Sequence, residues 1–334
     1  IVFGDWSSDV CSSDLNVGAS MLVSIMQAFA FGLPQGALYG LMGFGISLIF
    51  GICGVTNFAQ GNSGMIGVFV GWTVLAATKS LPLALVAGVA AGALLGASID
   101  RVLMKRVKGM SHGGMLIITL GLLMIFDGMA LIVWGTEPLM FPDLFDAPPI
   151  IAFLPESVNP DGMPIIMSGN DLWTAVTALI LSFALVAFFR FSKPGIAAKA
   201  KAQDEAGAKA VGVNVGAADT LAWAAGVAAA VLAGFLIAPK STVMPTMLVN
   251  LQLYGFTAAV FGGFASPFGA VIGGLLLGVI EKLVVLGLET LLGALGATGV
   301  NALDFQLSVV LVIIIVTLAV KPTGLFASKF KGKV

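Results

Sequence analysis

Residues 113–135 contain a single charged side chain, and stretches like it recur along the whole chain. They fall at about 22–50, 63–78, 81–100, 113–135, 172–190, 217–238, 251–265, 267–287 and 304–320. About 20 apolar residues are the length of helix that crosses a bilayer core. Backbone placed in lipid must close its own hydrogen bonds, and for segments of this kind that means helices. The sequence therefore predicts an all-α, polytopic transmembrane helical bundle of about nine spans, within a range of eight to ten. Charged residues make up 10% of the chain, against about 25% in soluble domains. Residues 21–327 read as one transmembrane domain and 328–334 as a basic tail. Two stretches are irregular. The 22–50 stretch is interrupted by Gly32-Leu33-Pro34, and 251–265 is short enough to be a half-helix.

The basic residues set an orientation. Arg101, Lys105, Arg106 and Lys108 form one cluster, Arg190, Lys193, Lys199, Lys201 and Lys209 a second, and Lys321, Lys329, Lys331 and Lys333 a third. No base occurs from Gly109 to Phe189, where Glu137, Asp143, Asp146, Glu156, Asp161 and Asp171 crowd one loop. The positive-inside rule then places the three clusters in the cytoplasm. Nine crossings put the N-terminus outside and the C-terminus inside, provided that both 251–265 and 267–287 cross.

The first 15 residues do not match the rest. They lack the basic and apolar regions of a signal peptide, and no hydrophobic segment precedes Cys11. DWSSDVCSSDL, Asp5 to Leu15, reads as a translated sequencing-library adapter, so residues 1–15 are expected to be foreign and unpacked. The native start is expected near Met21.

Several functions are excluded by what is missing. No G-x-x-x-x-G-K-[ST] is present, so ATP binding through a P-loop is not expected here. HExxH and CxxC are absent, and two cysteines at 11 and 53 form no metal pattern. The one histidine, His112, reads as a solvated loop residue, and no Ser/His/Asp or Cys/His set can be built around it. No catalytic residue, metal site or bound cofactor is expected, and transport is the default for such a chain. No inverted repeat is evident, and only Asp127 sits well inside a span as a coupling-ion group would. An ion-coupled secondary transporter and a passive channel are the competing classes.

Four stretches, in order, resemble the permease subunits of ATP-driven branched-chain amino acid importers. They are GALYGLMGFGISLIFGICGVTNFAQGNSGMIGVFVG (36–71), TLGLLMIFDGMALIVWG (119–135), PGIAAKAKAQDEAGAKAVGVNV (194–215) and AAVFGGFASPFGAVIGGLLLGVIE (258–281), followed by KPTGLFA (321–327). The resemblance implies an ABC importer subunit in the bacterial cytoplasmic (inner) membrane. It would work with a second permease subunit, two ATP-binding subunits that use the ATP, and a substrate-binding protein outside; no nucleic acid is involved. A branched-chain amino acid is the implied substrate, with urea or a short amide as the alternative within the family. The family commonly reads N-F-A-H-G-E where this chain has NFAQGN, so Gln60 and Asn62 replace ionisable groups. Lys201 stands where the family usually has Arg.

The resemblance makes 194–215 the coupling helix that docks on an ATPase. By residue type, Ile196 to Val211 is Ala-rich and helix-prone, with Gly212 as its C-cap. The coupling candidates are Lys201, Asp204, Glu205, Ala206, Gly207, Ala208 and Gly212; an ordinary connector helix is the alternative. NFAQGN reads either as a broken helix beside the substrate path or as a turn capped by Asn57 or Asn62. Asp127 reads as a path residue or a structural hydrogen-bond partner. With Gln35, Tyr39 and Thr119, these complete the substrate-path candidates: Gln35, Tyr39, Asn57, Gln60, Asn62, Thr119 and Asp127. Glu281 and Lys282 read as an interfacial pair, and Asp304 as the cap of the last span. The Gly-x3-Gly patterns read as helix-packing faces.

Overall fold

A computed structural model of the protein describes residues 6–107, 109–152, 165–295, 301–321 and 323–326. All nine apolar stretches are helical. They are α1 (Trp6–Cys53), α2 (Gln60–Thr78), α3 (Leu81–Ser98), α4 (His112–Trp134), α5 (Gly169–Phe191), α8 (Val215–Ser241), α9 (Val249–Gly262), α10 (Pro267–Ala294) and α11 (Gln306–Val320). Two short helices, α6 (Lys193–Gln203) and α7 (Glu205–Ala210), join α5 to α8. A π-helical turn, Ile99–Met104, extends α3, and a two-stranded antiparallel sheet, β1 (Ile150–Ala152) with β2 (Ile165–Met167), lies in the 136–171 loop. Seven of the described helices are long and apolar enough to cross a membrane. The chain is a multi-pass membrane protein. Helices α2 and α9 are not among the seven; the 14 residues of α9 span about 21 Å, less than the roughly 30 Å hydrocarbon core.

The expected interruption at Gly32-Leu33-Pro34 is not a break, since α1 runs through Pro34. Close packing accompanies the uninterrupted helix. A Cβ on Gly36 would sit 2.7 Å from Gly274 O, and one on Gly278 would run into Gly32 O. The glycine faces of α1 and α10 are thus in backbone contact, as small-residue stripes in lipid allow. His112 opens α4 instead of lying in a loop, and Ser111 caps that helix by accepting from Gly114 N. The adapter-like residues and the 328–334 tail fall outside the residues whose side chains are described.

The packing reveals a repeat that the sequence barely shows. Helices α1 and α8 cross antiparallel, with Gly45 against Gly226. Helix α2 runs parallel to α8, through Gly64 on Ala230 and Gly71 on Phe235, and antiparallel to α3, through Gly71 on Ala84 and Gly67 on Gly88. Helix α9 does the same on the other side. It runs parallel to α1, through Tyr39 on Tyr254, Gly43 on Gly255 and Ser47 on Phe264 just past its end. It runs antiparallel to α10, through Gly262 on Gly269 and Ala258 on Gly273. Helix α3 packs on α8, and α10 on α1. Units α1–α4 and α8–α11 are therefore inverted copies, each laying its α2–α3 or α9–α10 hairpin on the long helix of the other. The sequence carries a faint echo. Leu41-Met42-Gly43-Phe44-Gly45-Ile46 matches Leu232-Ala233-Gly234-Phe235-Leu236-Ile237 at four positions. The shift between them is 191, the separation that also links Gly61 to Gln252, which touch at the centre. The absence of an inverted repeat thus no longer argues against a secondary transporter.

The two ends of the bundle differ in charge. The C-terminal ends of α1, α3, α5, α9 and α11 share one end with α6, α7 and the start of α8, and with the basic clusters of 101–106 and 190–209 and Lys321. The described residues of the acidic 136–171 loop lie at the other end, where Leu139 pairs with Val243 and Trp72 Nε1 donates to Met140 O.

Candidate functional site

The NFAQGN segment lies deep in the bundle. The Gln60 amide donates to Gly226 O at 2.7 Å. Gly226 is eleven residues into α8, or about 16 Å along its axis. After α1 ends at Cys53, residues 54–59 therefore climb back unwound before α2 begins. Such backbone within a membrane must be satisfied by protein, and several of its groups find partners here. Asn57 Oδ1 accepts from Ala59 N at 3.0 Å, and Asn57 Nδ2 donates to Gln60 Oε1 at 2.9 Å. Thr119 Oγ1 donates to Leu116 O at 2.9 Å and lies 3.4 Å from Thr56 O. Neither asparagine is a helix cap. The N-cap of α2 is Ala59, without a side-chain bond, and Asn62 stands inside the helix.

Gln252, which nothing in its sequence setting singles out, closes the centre. It is buried, accepts from Gly61 N, and donates to Phe58 O at 2.6 Å. It belongs to α9, reached from the end of α8 through residues 242–248. The two inverted units thus meet where each has a broken segment. Asn62 Nδ2 donates to Asp127 Oδ1 at 2.6 Å, joining α2 to α4. Asn57, Gln60, Asn62, Thr119 and Asp127 therefore surround the start of α2. The packing there is tight, since a Cβ on Gly61 would sit 2.7 Å from Gln252 Oε1.

Gln35 and Tyr39 lie apart from that group, toward the end with the acidic loop. Tyr39 stacks on Tyr254 with centroids 4.6 Å apart, and its hydroxyl faces Glu281 and Gln35. Glu281 is fully buried rather than interfacial, and Gln306 donates to its Oε1 while Lys282 Nζ lies 3.5 Å away. The Tyr39 hydroxyl and Glu281 Oε2 make no hydrogen bond within normal geometry. Asp304 does not cap the last span; Phe305 is the N-cap of α11.

The segment expected to be one helix, Ile196 to Val211, is broken at Asp204. That residue takes an extended conformation and caps α7 by accepting from Ala206 N at 3.1 Å. Gly212 adopts φ +82, and Val213 N bonds back to Ala208 O, a glycine-terminated helix end. Asn214 then caps α8. Two coupling candidates face inward. Ala208 is buried, and Lys201 is 6% exposed, donating to Ile52 O at 2.7 Å and pairing with Asp219. Ala206, Ala210 and Val211 are exposed, Asp204 and Gly212 also face outward, Gly207 is half-buried, and Glu205 pairs with Lys209 at 2.8 Å. A second polar knot ties α3 to α8, where Thr220 Oγ1 donates to the buried Asp100 and Lys105 reaches the same carboxylate at 3.5 Å. Acids inside or at the edge of apolar stretches, Asp100, Asp219 and Glu281, are the available sequence signal for these knots. Among the described residues no group of acids, cysteines and histidines is arranged to hold a metal.

Comparison with known proteins fits this architecture. Residues 28–318 match the family described as branched-chain amino acid transport system / permease component. The chain is 29% identical over 310 residues to the high-affinity branched-chain amino acid transport system permease protein LivH of Salmonella typhimurium, covering 90% of this chain and 94% of that one. It is 30% identical over 266 residues to the permease protein BraD of Pseudomonas aeruginosa, covering 77% and 85%. A probable LivH of Methanocaldococcus jannaschii is 24% identical over 296 residues, covering 87% and 89%. No solved structure matches. The chain belongs to the branched-chain amino acid transport system permease family.

Proposed function

We propose that this chain is the membrane permease subunit of an ATP-driven importer of branched-chain amino acids. The observation that carries the reading is the family match across 28–318, on a fold whose basic end presents the exposed residues of α6 and α7. The chain works with a second permease subunit, two ATP-binding subunits that hydrolyse the ATP, and an external substrate-binding protein. It binds no cofactor of its own. The centre of each subunit is tightly packed, which favours a path between two permease subunits rather than through one.

The proposed topology has nine crossings in the bacterial inner membrane, with the basic end and the C-terminus in the cytoplasm. Residues 54–78 and 242–262 each complete a crossing as an unwound segment plus a helix. Their packing along α8 and α1 supports this. Docking of the ATPase on α6–α7 would switch the bundle between outward and inward states.

The test is leucine uptake into vesicles containing this chain, its co-expressed second permease and ATPase subunits, and its binding protein. Uptake is expected to require ATP and the binding protein. Uphill leucine movement by this chain alone on an ion gradient would overturn the reading, and uptake of urea but not leucine would move the substrate within the family.

A further inference from the structure

At the acidic-loop end, α1, α5, α8, α10 and the 3-10 turn Ala302–Phe305 before α11 enclose a cavity of about 290 Å³, close to the lower bound of small-molecule pockets. Its wall is mainly aliphatic and aromatic: Phe31, Leu38, Leu236, Ile237 and Leu303. Set into that wall are Asp171, Lys240, Lys282 and Gln35. Asp171, in the first turn of α5, pairs with Lys240, in the last turn of α8. Lys282 comes from α10, where it lies beside the buried Glu281. Behind Gln35, outside the cavity lining, the buried Tyr39 hydroxyl and Glu281 carboxylate face each other.

We infer that this cavity is an external-side binding site for a free zwitterionic amino acid with an aliphatic side chain. Charges of both signs lie within one small chamber. Lys282 and Lys240 suit an α-carboxylate, and Asp171 suits an α-ammonium group. The aliphatic wall suits a branched side chain and offers nothing to a second charge. The cavity also sits where the two inverted units contact each other, since Gln35 of α1 and Leu236 of α8 both line it. An occupant would therefore touch both units at once. The site would receive substrate at the outer face before the path opens. This rests on the importer reading, whose substrate class it shares.

The headgroup of phosphatidylethanolamine has the same pair of charges, so the experiment must separate the two. The permease–ATPase complex is placed in phosphatidylglycerol nanodiscs with and without phosphatidylethanolamine, lacking binding protein, and titrated with radiolabelled leucine. Saturable binding is expected, displaced by valine and not by glutamate. Lys282→Met and Asp171→Asn should each weaken it about tenfold or more, the scale of a lost charged hydrogen bond. Leu303→Trp should do the same by filling the cavity, and Leu303 is 61% exposed, so this change spares the core. The inference falls if none of the three variants changes leucine binding. It falls equally if wild type binds no leucine while binding-protein-dependent uptake proceeds, or if phosphatidylethanolamine binds there and leucine does not displace it. Loss of all ATP-dependent leucine uptake in the full system would instead overturn the importer reading.

Discussion

Lys201 and Asp219 are the residues on which the basic end is fastened. Both side chains are nearly excluded from solvent, at 5% and 6%, and Lys201 also holds the carbonyl of Ile52 at the end of α1. One ammonium group therefore links α6, α8 and α1. Removing one partner of a buried pair leaves an uncompensated charge, at a cost of about 3–5 kcal/mol. Lys201→Met should lower the thermal midpoint of the purified protein strongly, and Lys201→Met with Asp219→Leu should recover much of the loss. If the single variant unfolds at the wild-type temperature, the pair does not hold the end together. Asp127 sets a different problem, because its partner is the neutral Asn62. Asp127→Asn keeps an acceptor and should alter stability by less than about 1 kcal/mol. Asp127→Leu strands the Asn62 amide and should cost about 1–3 kcal/mol. Transport in a stable Asp127→Asn variant decides whether the carboxylate charge has a role beyond that bond.

The elements divide into faces already filled and faces left open. A Cβ on Gly274 would run into the backbone of Gly40, whereas nothing lies within 4 Å of one on Gly128. Gly274→Ala must push α1 from α10 and should destabilise by at least about 1–3 kcal/mol. Gly128→Ala should be neutral or gain about 0.4–1 kcal/mol through the unfolded chain. Denaturation of the two purified variants beside wild type measures both. If the second change leaves the isolated subunit intact but blocks assembly, α4 is a face that a partner covers. The same contrast shows what could be read in advance. The apolar stretches become helices because backbone placed in lipid must close its own hydrogen bonds. The break at Asp204 is hidden, because its cause is a side-chain cap and a pair of tertiary anchors, not a helix-breaking residue. Gln252 is hidden for a related reason. It stands near the start of an apolar stretch, where an amide looks like a helix end in water. Only the packing of α9 against the start of α2 shows that this end is buried. The inverted repeat leaves a faint trace, with four matches in its densest six-residue segment, because a shared backbone path needs shared small-residue contacts more than shared side chains.

At the scale of the whole molecule, the two-fold relation between the units accounts for the likeness of the two ends in backbone and leaves their difference to charge. Inversion makes α1 and α8 run in opposite directions, so each end of the bundle receives one long-helix start and one long-helix finish. Among the described residues, the bases of 101–106 and 190–209 gather at the end that holds α6 and α7, and Glu137, Asp143, Asp146 and Asp171 at the other. The positive-inside rule then predicts that the basic end faces the cytoplasm. Single cysteines test this in a background where Cys11 and Cys53 are replaced by Ala. Met140 is 82% exposed at the acidic-loop end, and Val211 is 79% exposed beside α7. A membrane-impermeant maleimide should label Met140→Cys in intact cells and Val211→Cys only after the membrane is opened. Val211→Cys should also be shielded once the ATPase is bound, because it lies next to the exposed residues of α7. The reverse labelling pattern would turn the molecule over and move α6–α7 away from any cytoplasmic ATPase. Labelling of Val211→Cys that the bound ATPase leaves unchanged would keep the orientation and move the docking surface off α7.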